Sequence, residues 1–201
     1  MQAAPCPRLL VTAFQPFGAP GKPVRPENAS DSVLRAFGDR EGNRYDLLVL
    51  PVEPLAEVLL ARALARDPVG VVSMGEAGLP GAWDTNVEEV ARDLPVTAGG
   101  HPGAAAAGFR ASPFARSIPL LPGMERADRI GAYWCNRAYY RVLEWCQLFH
   151  RPAVFLHLRV EGHRARQLRH LDHAVRFMEE SLRGPPAGSR PAARGAYLAR
   201  R

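Results

Sequence analysis

Short apolar runs alternate with amphipathic segments along most of the chain. Runs rich in valine and leucine have the length of buried β-strands and span residues 8–14, 45–52, 69–74 and 153–160. Apolar side chains at three- and four-residue spacing predict helices over residues 28–37, 54–66, 135–149 and 161–182. Strands that alternate with helices form βαβ units, so the pattern predicts an α/β fold with a largely parallel sheet and helices on both faces.

Three further segments fit this alternation less well. Residues 83–91 alternate loosely and predict an extended arm. Residues 94–124 are rich in Gly, Ala and Pro, which predicts the least ordered part of the chain and a candidate mobile lid. The sequence shows neither an internal repeat nor a linker, so we expect one catalytic domain over residues 1–183 and a flexible Pro/Gly/Arg-rich tail over residues 184–201.

Composition narrows the class of protein. A chain of 201 residues, 47% of them hydrophobic, suits one globular domain. It has no apolar run of membrane-span length, and its N-terminus lacks the features of a signal peptide, so we expect a cytoplasmic protein without membrane partners. The net charge is +6, but Lys22 is the only lysine and the arginines are spread along the chain, which argues against nucleic-acid binding.

The chain has three cysteines, an odd number. Cys135 and Cys146 lie eleven residues apart on one predicted helix, about 16 Å along its axis, too far for a disulfide between them. Cys6 lies far from both in the sequence. The pattern is typical of free thiols in a reducing compartment.

Cys135 and His157 are the strongest candidates for chemistry. Cys135 stands where an amphipathic helix begins, and a helix N-terminus favours a thiolate and offers backbone N–H groups to an oxyanion. His157 interrupts the next apolar strand and could act as the base for that thiol. Each residue has an alternative interpretation, since free cysteines are usually small buried hydrophobes and a histidine on an apolar strand is often a hydrogen-bonded core residue.

An orienting carboxylate should complete the set that Cys135 and His157 begin. Glu88 and Glu89 are the first candidates for it, with Glu76 and Asp84 behind them. Active sites of parallel sheets lie at the carboxyl ends of the strands. We therefore expect residues 14–18 and 75–78, each at the end of a predicted strand, to lie at one edge of the sheet with Cys135 and His157.

Two other patterns bear on ligands. Phe14 and Phe17 flank a proline at the end of the first strand, where they could pack the core or cover a small apolar ligand. His170 and His173 lie three apart on a helix, but no third ligand is evident, so we expect a solvated helix face and no metal site.

Five short segments also occur in the same order in a known family. They read V-T-A-F-Q-P-F-G at 11–18, G-E-A-G at 75–78, V-E-E-V-A at 87–91, G-A-Y-W-C-N at 131–136 and A-V-F-L-H at 153–157. They resemble segments of pyroglutamyl peptidase I (pyrrolidone-carboxylate peptidase), a family of cysteine exopeptidases that remove N-terminal pyroglutamate. The resemblance implies a single-domain three-layer α/β/α sandwich with a mostly parallel central sheet.

The resemblance also implies the roles of individual residues. Cys135 would be the nucleophile, His157 the general base and acid, and Glu88 the orienting carboxylate. Phe14 and Phe17 would hold the lactam ring between them. The implied substrates are peptides with an N-terminal pyroglutamate, with no cofactor, and the implied assembly is a homo-oligomer, a dimer or a tetramer.

The segment at Glu76 is where the chain departs from that family. The turn there would offer backbone hydrogen bonds to the amide of the ring, but the family has glutamine or an apolar residue where this chain has a carboxylate. The stretch between Glu88 and Cys135 is also shorter and changed. These departures leave open a related cysteine amidase acting on another small lactam or acyl group, or a degenerate homologue that serves as a binding module.

Overall fold

The computed structural model describes residues 8–17, 24–78, 83–95, 108–128, 130–131 and 133–184. The strands of the main sheet are β1 Leu9–Phe14, β2 Asp46–Leu50, β3 Gly70–Ala77, β4 Thr85–Glu88, β7 Met124–Ala127 and β8 Ala153–Arg159. A two-stranded sheet consists of β5 Val90–Asp93 and β6 Gly108–Ala111. The helices are α1 Ala29–Glu41, α2 Leu55–Leu64, α3 Pro113–Ser117, α4 Trp134–Phe149 and α5 Arg164–Arg183, and a 3-10 turn, Gly42–Arg44, follows α1.

The main sheet is mixed but mostly parallel, in the order β2-β1-β3-β8-β4-β7. Strands β2, β1, β3 and β8 pair in parallel, whereas β4 runs antiparallel to β8 and parallel to β7. The carboxyl ends of β1, β3 and β8 therefore lie at the same edge, next to the amino end of β4. This arrangement confirms the prediction of a mostly parallel α/β sheet.

Two hydrophobic cores lie on opposite faces of the sheet. One is formed with α1, α3 and α5 and includes Phe37, Leu156 and Met178. The other is formed with α2 and α4 and includes Phe155 and Tyr139. Helices on both faces confirm the predicted three-layer α/β/α sandwich. None of the helices described is both long and apolar enough to cross a membrane.

The structure corrects the end of the third strand. We predicted that it stops at Met74 and turns through residues 75–78, but β3 continues to Ala77. The reason is that β8 runs beside it to Arg159 and pairs with these residues, Gly75 with His157 and Ala77 with Arg159. The glycine at position 75 serves a close contact, described below, rather than a turn.

The region around residues 83–124 contains more regular structure than the sequence indicated. The predicted extended arm is confirmed as β4 and the start of β5. Within 94–124 lie β6 and α3, whose N-cap Ser112 accepts a hydrogen bond from the Ala115 N–H. Residues 96–107 of the predicted lid and residues 185–201 of the predicted tail lie outside the described residues.

Candidate active site

The site lies where β3, β8 and β4 meet the first turn of α4. Gly75 stands beside His157 in the parallel register of β3 and β8. A Cβ atom built on Gly75 would lie 2.7 Å from Cζ of Phe155 and 3.1 Å from Cβ of Cys135. Only a residue without a side chain therefore lets α4 bring Cys135 this close to the sheet.

His157 and Glu88 form a buried pair. Nδ1 of His157 lies 2.8 Å from Oε1 of Glu88, and the two residues are 4% and 1% exposed. Their contact follows from the antiparallel pairing, which sets Asn86 opposite His157 and Glu88 opposite Phe155, on the same face of the sheet. The ring of Phe155 meets the imidazole edge-on at a centroid distance of 5.1 Å.

Cys135 is the second partner of His157. Burial lowers the pKa of His157, but the charge and hydrogen bond of Cys135, followed by the hydrogen bond and charge of Glu88, raise it to about 10. At neutral pH these neighbours thus favour an imidazolium. Because Nδ1 of the ring faces Glu88, the other ring nitrogen, Nε2, is the one that makes the hydrogen bond with Cys135. The site thus brings a thiol, an imidazole and a carboxyl group together in series.

Helix α4 starts without a side-chain cap. Its N-cap residue is Tyr133, which makes no capping hydrogen bond, and Cys135 is the second residue of the helix. The N–H groups of a first turn have no partner within the helix, so they are suited to bind an anionic oxygen beside Cys135.

The other candidate carboxylates on this part of the chain have different partners. Glu89 bonds to Nε of Arg116 at 3.1 Å. Asp84 accepts from the His163 N–H at 2.9 Å and from Nη1 of Arg166 at 2.6 Å. Of the candidates, Glu88 alone has a hydrogen bond to His157 in the part of the chain described.

Glu76 is a strand residue whose side chain faces the start of α1. It pairs with the guanidinium of Arg25, and its Oε2 accepts from the Ala29 N–H at 2.6 Å. The charge of the carboxylate is thus balanced by that of Arg25, and the Glu76 side chain is largely buried, with an exposure of 2%. The backbone of Glu76 lies in register with Leu158 of β8.

The two predicted phenylalanines have different surroundings. Phe14 is 3% exposed and packs in the α2–α4 core that also contains Cys135. Phe17 is half-buried, with its ring 5.4 Å from that of Tyr133 and 5.0 Å from the guanidinium carbon of Arg25. Sequence reasoning did not single out Tyr133, although its place two residues before Cys135 was a signal. Burial, and next the charge of Cys135, raise the pKa of its phenol.

The prediction that His170 and His173 share a solvated helix face is wrong for His170, which is 1% exposed because α5 packs it against β4 and the segment before β7. His170 bonds to Oγ1 of Thr85 at 2.9 Å and to the Pro122 carbonyl at 3.1 Å, and His173 bonds to the Pro119 carbonyl at 2.7 Å. Burial raises the pKa of the Cys146 thiol to about 12. The described residues contain no cluster of three potential metal ligands.

The fold is shared with structures of known peptidases. Pyrrolidone carboxyl peptidase from Thermococcus litoralis is 19% identical, with a TM-score of 0.69 over 89% of this chain and 96% of that one. Pyroglutamyl peptidase I from Bacillus amyloliquefaciens is 17% identical, with a TM-score of 0.69 over 87% and 97%. A mutant pyrrolidone carboxyl peptidase from Pyrococcus furiosus is 20% identical, with a TM-score of 0.64 over 87% and 99%.

The similarity to these peptidases was found by comparing structures. No protein-family model and no curated protein sequence matches the chain. The structural matches cover most of the chain and nearly all of each neighbour, so they concern the whole sandwich rather than one motif. The chain has the fold of the pyrrolidone carboxyl peptidases.

Proposed function

We propose that this protein is a cysteine exopeptidase that removes N-terminal pyroglutamate from peptides. The observation that carries the proposal is the buried contact of His157 with Glu88 on one side and with Cys135 on the other, at the start of a helix. A thiol, an imidazole and a carboxylate in this order form one of the few sets of side chains that can hydrolyse an amide without a metal. The structural neighbours named as pyrrolidone carboxyl peptidases support the choice of substrate.

In the first half of the proposed reaction, Cys135 is acylated. Its thiolate attacks the carbonyl carbon of the pyroglutamyl residue, and backbone N–H groups of the first turn of α4 hold the oxyanion. When the intermediate collapses, the C–N bond breaks and the imidazolium of His157 gives its proton to the departing amine. The products of this half are a thioester on Cys135, a shortened peptide and a neutral His157.

In the second half, water releases the acyl group. Neutral His157 takes a proton from a water molecule, whose oxygen attacks the thioester carbonyl. The C–S bond then breaks, which frees pyroglutamate and restores the thiolate and the imidazolium. Glu88 fixes the orientation of the ring through both halves.

The proposed ring pocket lies beside Phe14 and Phe17. We assign the buried ring of Phe14 to the floor and the half-buried ring of Phe17 to the lid, and the backbone near Glu76 to the amide of the lactam. A pocket closed beyond the ring explains exopeptidase action, because no residue precedes pyroglutamate in a substrate. The free thiols Cys135 and Cys146 fit a reducing compartment such as the cytoplasm.

A second candidate function is hydrolysis of a different small lactam or acyl amide. The observation that favours it is the ion pair of Arg25 and Glu76 next to Phe17, which places a guanidinium over the aromatic ring. Because Glu76 balances the charge of Arg25, the ion pair puts two strongly polar groups beside the proposed ring pocket, which suits an acyl group more polar than the lactam of pyroglutamate.

One assay separates these functions. Pyroglutamyl-arylamide hydrolysis is measured for the wild type, for Cys135→Ser and for Cys146→Ser, which alters the other buried thiol of the same helix. We expect thiol-dependent release by the wild type and by Cys146→Ser, and a loss of more than about 10³-fold in Cys135→Ser.

The other outcomes decide against the peptidase. Release from other acyl arylamides but not from the pyroglutamyl one would favour the amidase. A folded wild type that is silent on every arylamide would favour a binding module. Equal activity of the wild type and Cys135→Ser would exclude Cys135 as the nucleophile.

A further inference from the structure

The strand segment that follows Glu88 is bound to the beginning of α4. The hydroxyl of Tyr139 donates to the Glu88 carbonyl at 3.2 Å. Nη1 of Arg137 donates to the Leu94 carbonyl at 2.6 Å. These bonds join the chain that carries the carboxylate to the helix that carries the thiol.

The central contact of this connection is made by Asn136. Its Nδ2 donates to the Arg92 carbonyl and its Oδ1 accepts from the Arg92 N–H, both at 2.8 Å. The side-chain amide thus pairs with both backbone groups of one β5 residue, as a neighbouring strand would. Asn136 is fully buried, so losing its amide would remove the partners of two backbone groups of Arg92 and leave a gap where the amide was.

The position of this amide links it to the site. Asn136 follows Cys135 directly in the chain, and Arg92 lies four residues after Glu88. A shift of β5 against α4 would therefore change the distance between the thiol and the His157–Glu88 pair. Displacements near 1 Å from the reactive geometry cost up to about 100-fold in rate.

We infer that Asn136 is a positioning residue that sets the Cys135 thiol against His157 by clamping α4 to β5. The inference rests on the proposed function only for its kinetic test, because the contact of Cys135 with His157 can be probed without a substrate. Asn136 touches no reacting atom in this role and acts through the backbone on either side of it.

A matched control is available on the opposite face of the sheet. Gln167 of α5 is also fully buried, and its Nε2 donates to the Asp84 carbonyl at 3.0 Å and to the Arg159 carbonyl at 2.8 Å. Gln167→Ala removes two amide-to-backbone bonds, as Asn136→Ala does, and a bond from Arg164 of its own helix, but none of the three reaches α4. Asn136→Asp keeps the acceptor for the Arg92 N–H and loses the donor to its carbonyl.

The first experiment measures kcat and KM on a pyroglutamyl-arylamide. We expect Asn136→Ala to lower kcat about 10- to 100-fold with little change in KM. The kcat of Asn136→Asp should lie between those of the wild type and Asn136→Ala. Gln167→Ala should leave kcat unchanged, although its unfolding free energy should fall about as much as that of Asn136→Ala. Equal kcat effects of Asn136→Ala and Gln167→Ala would overturn the inference.

The second experiment needs no substrate. In a background with both Cys6→Ser and Cys146→Ser, the rate of Cys135 alkylation by iodoacetamide at pH 7 should fall about tenfold in Asn136→Ala and stay unchanged in Gln167→Ala, because the thiolate depends on its contact with His157. Slower alkylation in a protein that cleaves no pyroglutamyl substrate would keep the inference and reject the proposed function. Unchanged alkylation, or a failure of both Asn136 variants to fold while Gln167→Ala folds, would assign Asn136 to the fold alone.

Discussion

At His157, burial and charge act in opposite directions on one imidazole. Burial disfavours the imidazolium, whereas Cys135 and Glu88 favour it strongly enough to raise the pKa of His157 to about 10. The second carboxylate oxygen of Glu88, Oε2, is buried and meets no hydrogen-bond donor among the described residues. The charge of Glu88 therefore acts mainly on His157, where it would orient the ring and stabilise the imidazolium in the proposed triad.

Replacing Glu88 with glutamine should test this directly. Glu88→Gln keeps the shape and removes a charge that raises the pKa of His157, so that pKa should fall. His157 holds its proton below its pKa and loses it above, so the alkaline loss of kcat/KM should move from about pH 10 to lower pH. At pH 7 we expect a loss of at least about tenfold, but smaller than in Cys135→Ser.

The measurements are an NMR titration of His157 and a pH–rate profile. Glu89→Gln is the control, because Glu89 is adjacent in sequence but bonds to Arg116 and Arg126. An unchanged titration of His157 in Glu88→Gln would show that Glu88 does not govern its proton.

On the scale of elements, the site depends on how closely α4 approaches β3. The sequence predicted α4 within one residue at its start, because apolar side chains recur on one face. It did not predict that β3 runs on to Ala77 or that Ser112 caps a short helix, since both depend on β8 as a distant partner. Gly75 was assigned to a turn for the same reason, although its actual contact is with Phe155 and Cys135.

Gly75→Ala should therefore damage the site more than a glycine substitution nearby. Its new methyl would meet Cζ of Phe155 at 2.7 Å and Cβ of Cys135 at 3.1 Å, both in a packed core. We expect a loss of about 1–3 kcal/mol in unfolding free energy and a lower kcat as Cys135 moves away from His157.

The control for that substitution is Gly78→Ala, because a Cβ there meets nothing within 4 Å. Urea unfolding and pyroglutamyl-arylamide kinetics on the two variants make the comparison. If Gly75→Ala retains the wild-type kcat, the close approach of α4 to β3 does not set the thiol.

On the scale of the whole molecule, one sheet separates two cores, and the site belongs to only one of them. The sequence predicted both helical layers and brought Cys135, His157 and Glu88 together as candidates. The residues alone did not show whether Glu88 or Glu89 is the partner of His157, because that depends on the antiparallel register of β4 with β8. Successive side chains of β8 point to opposite faces of the sheet, so Leu156 packs in the α1–α5 core and Phe155 packs in the α2–α4 core.

This separation predicts that two adjacent residues of β8 have opposite effects. Leu156→Ala leaves a cavity in the core on the other face of the sheet from the site, so the unfolding free energy should fall by about 2–5 kcal/mol while kcat per folded molecule stays unchanged. Phe155→Leu conserves more volume and should cost less stability, but it removes the ring 5.1 Å from His157 and 5.2 Å from Tyr139 and should lower kcat. Urea unfolding with active-site titration of Cys135 separates the two quantities. A loss of kcat per active site in Leu156→Ala equal to that in Phe155→Leu would mean that the sheet transmits packing changes from one core to the other, and that the site draws its geometry from both faces.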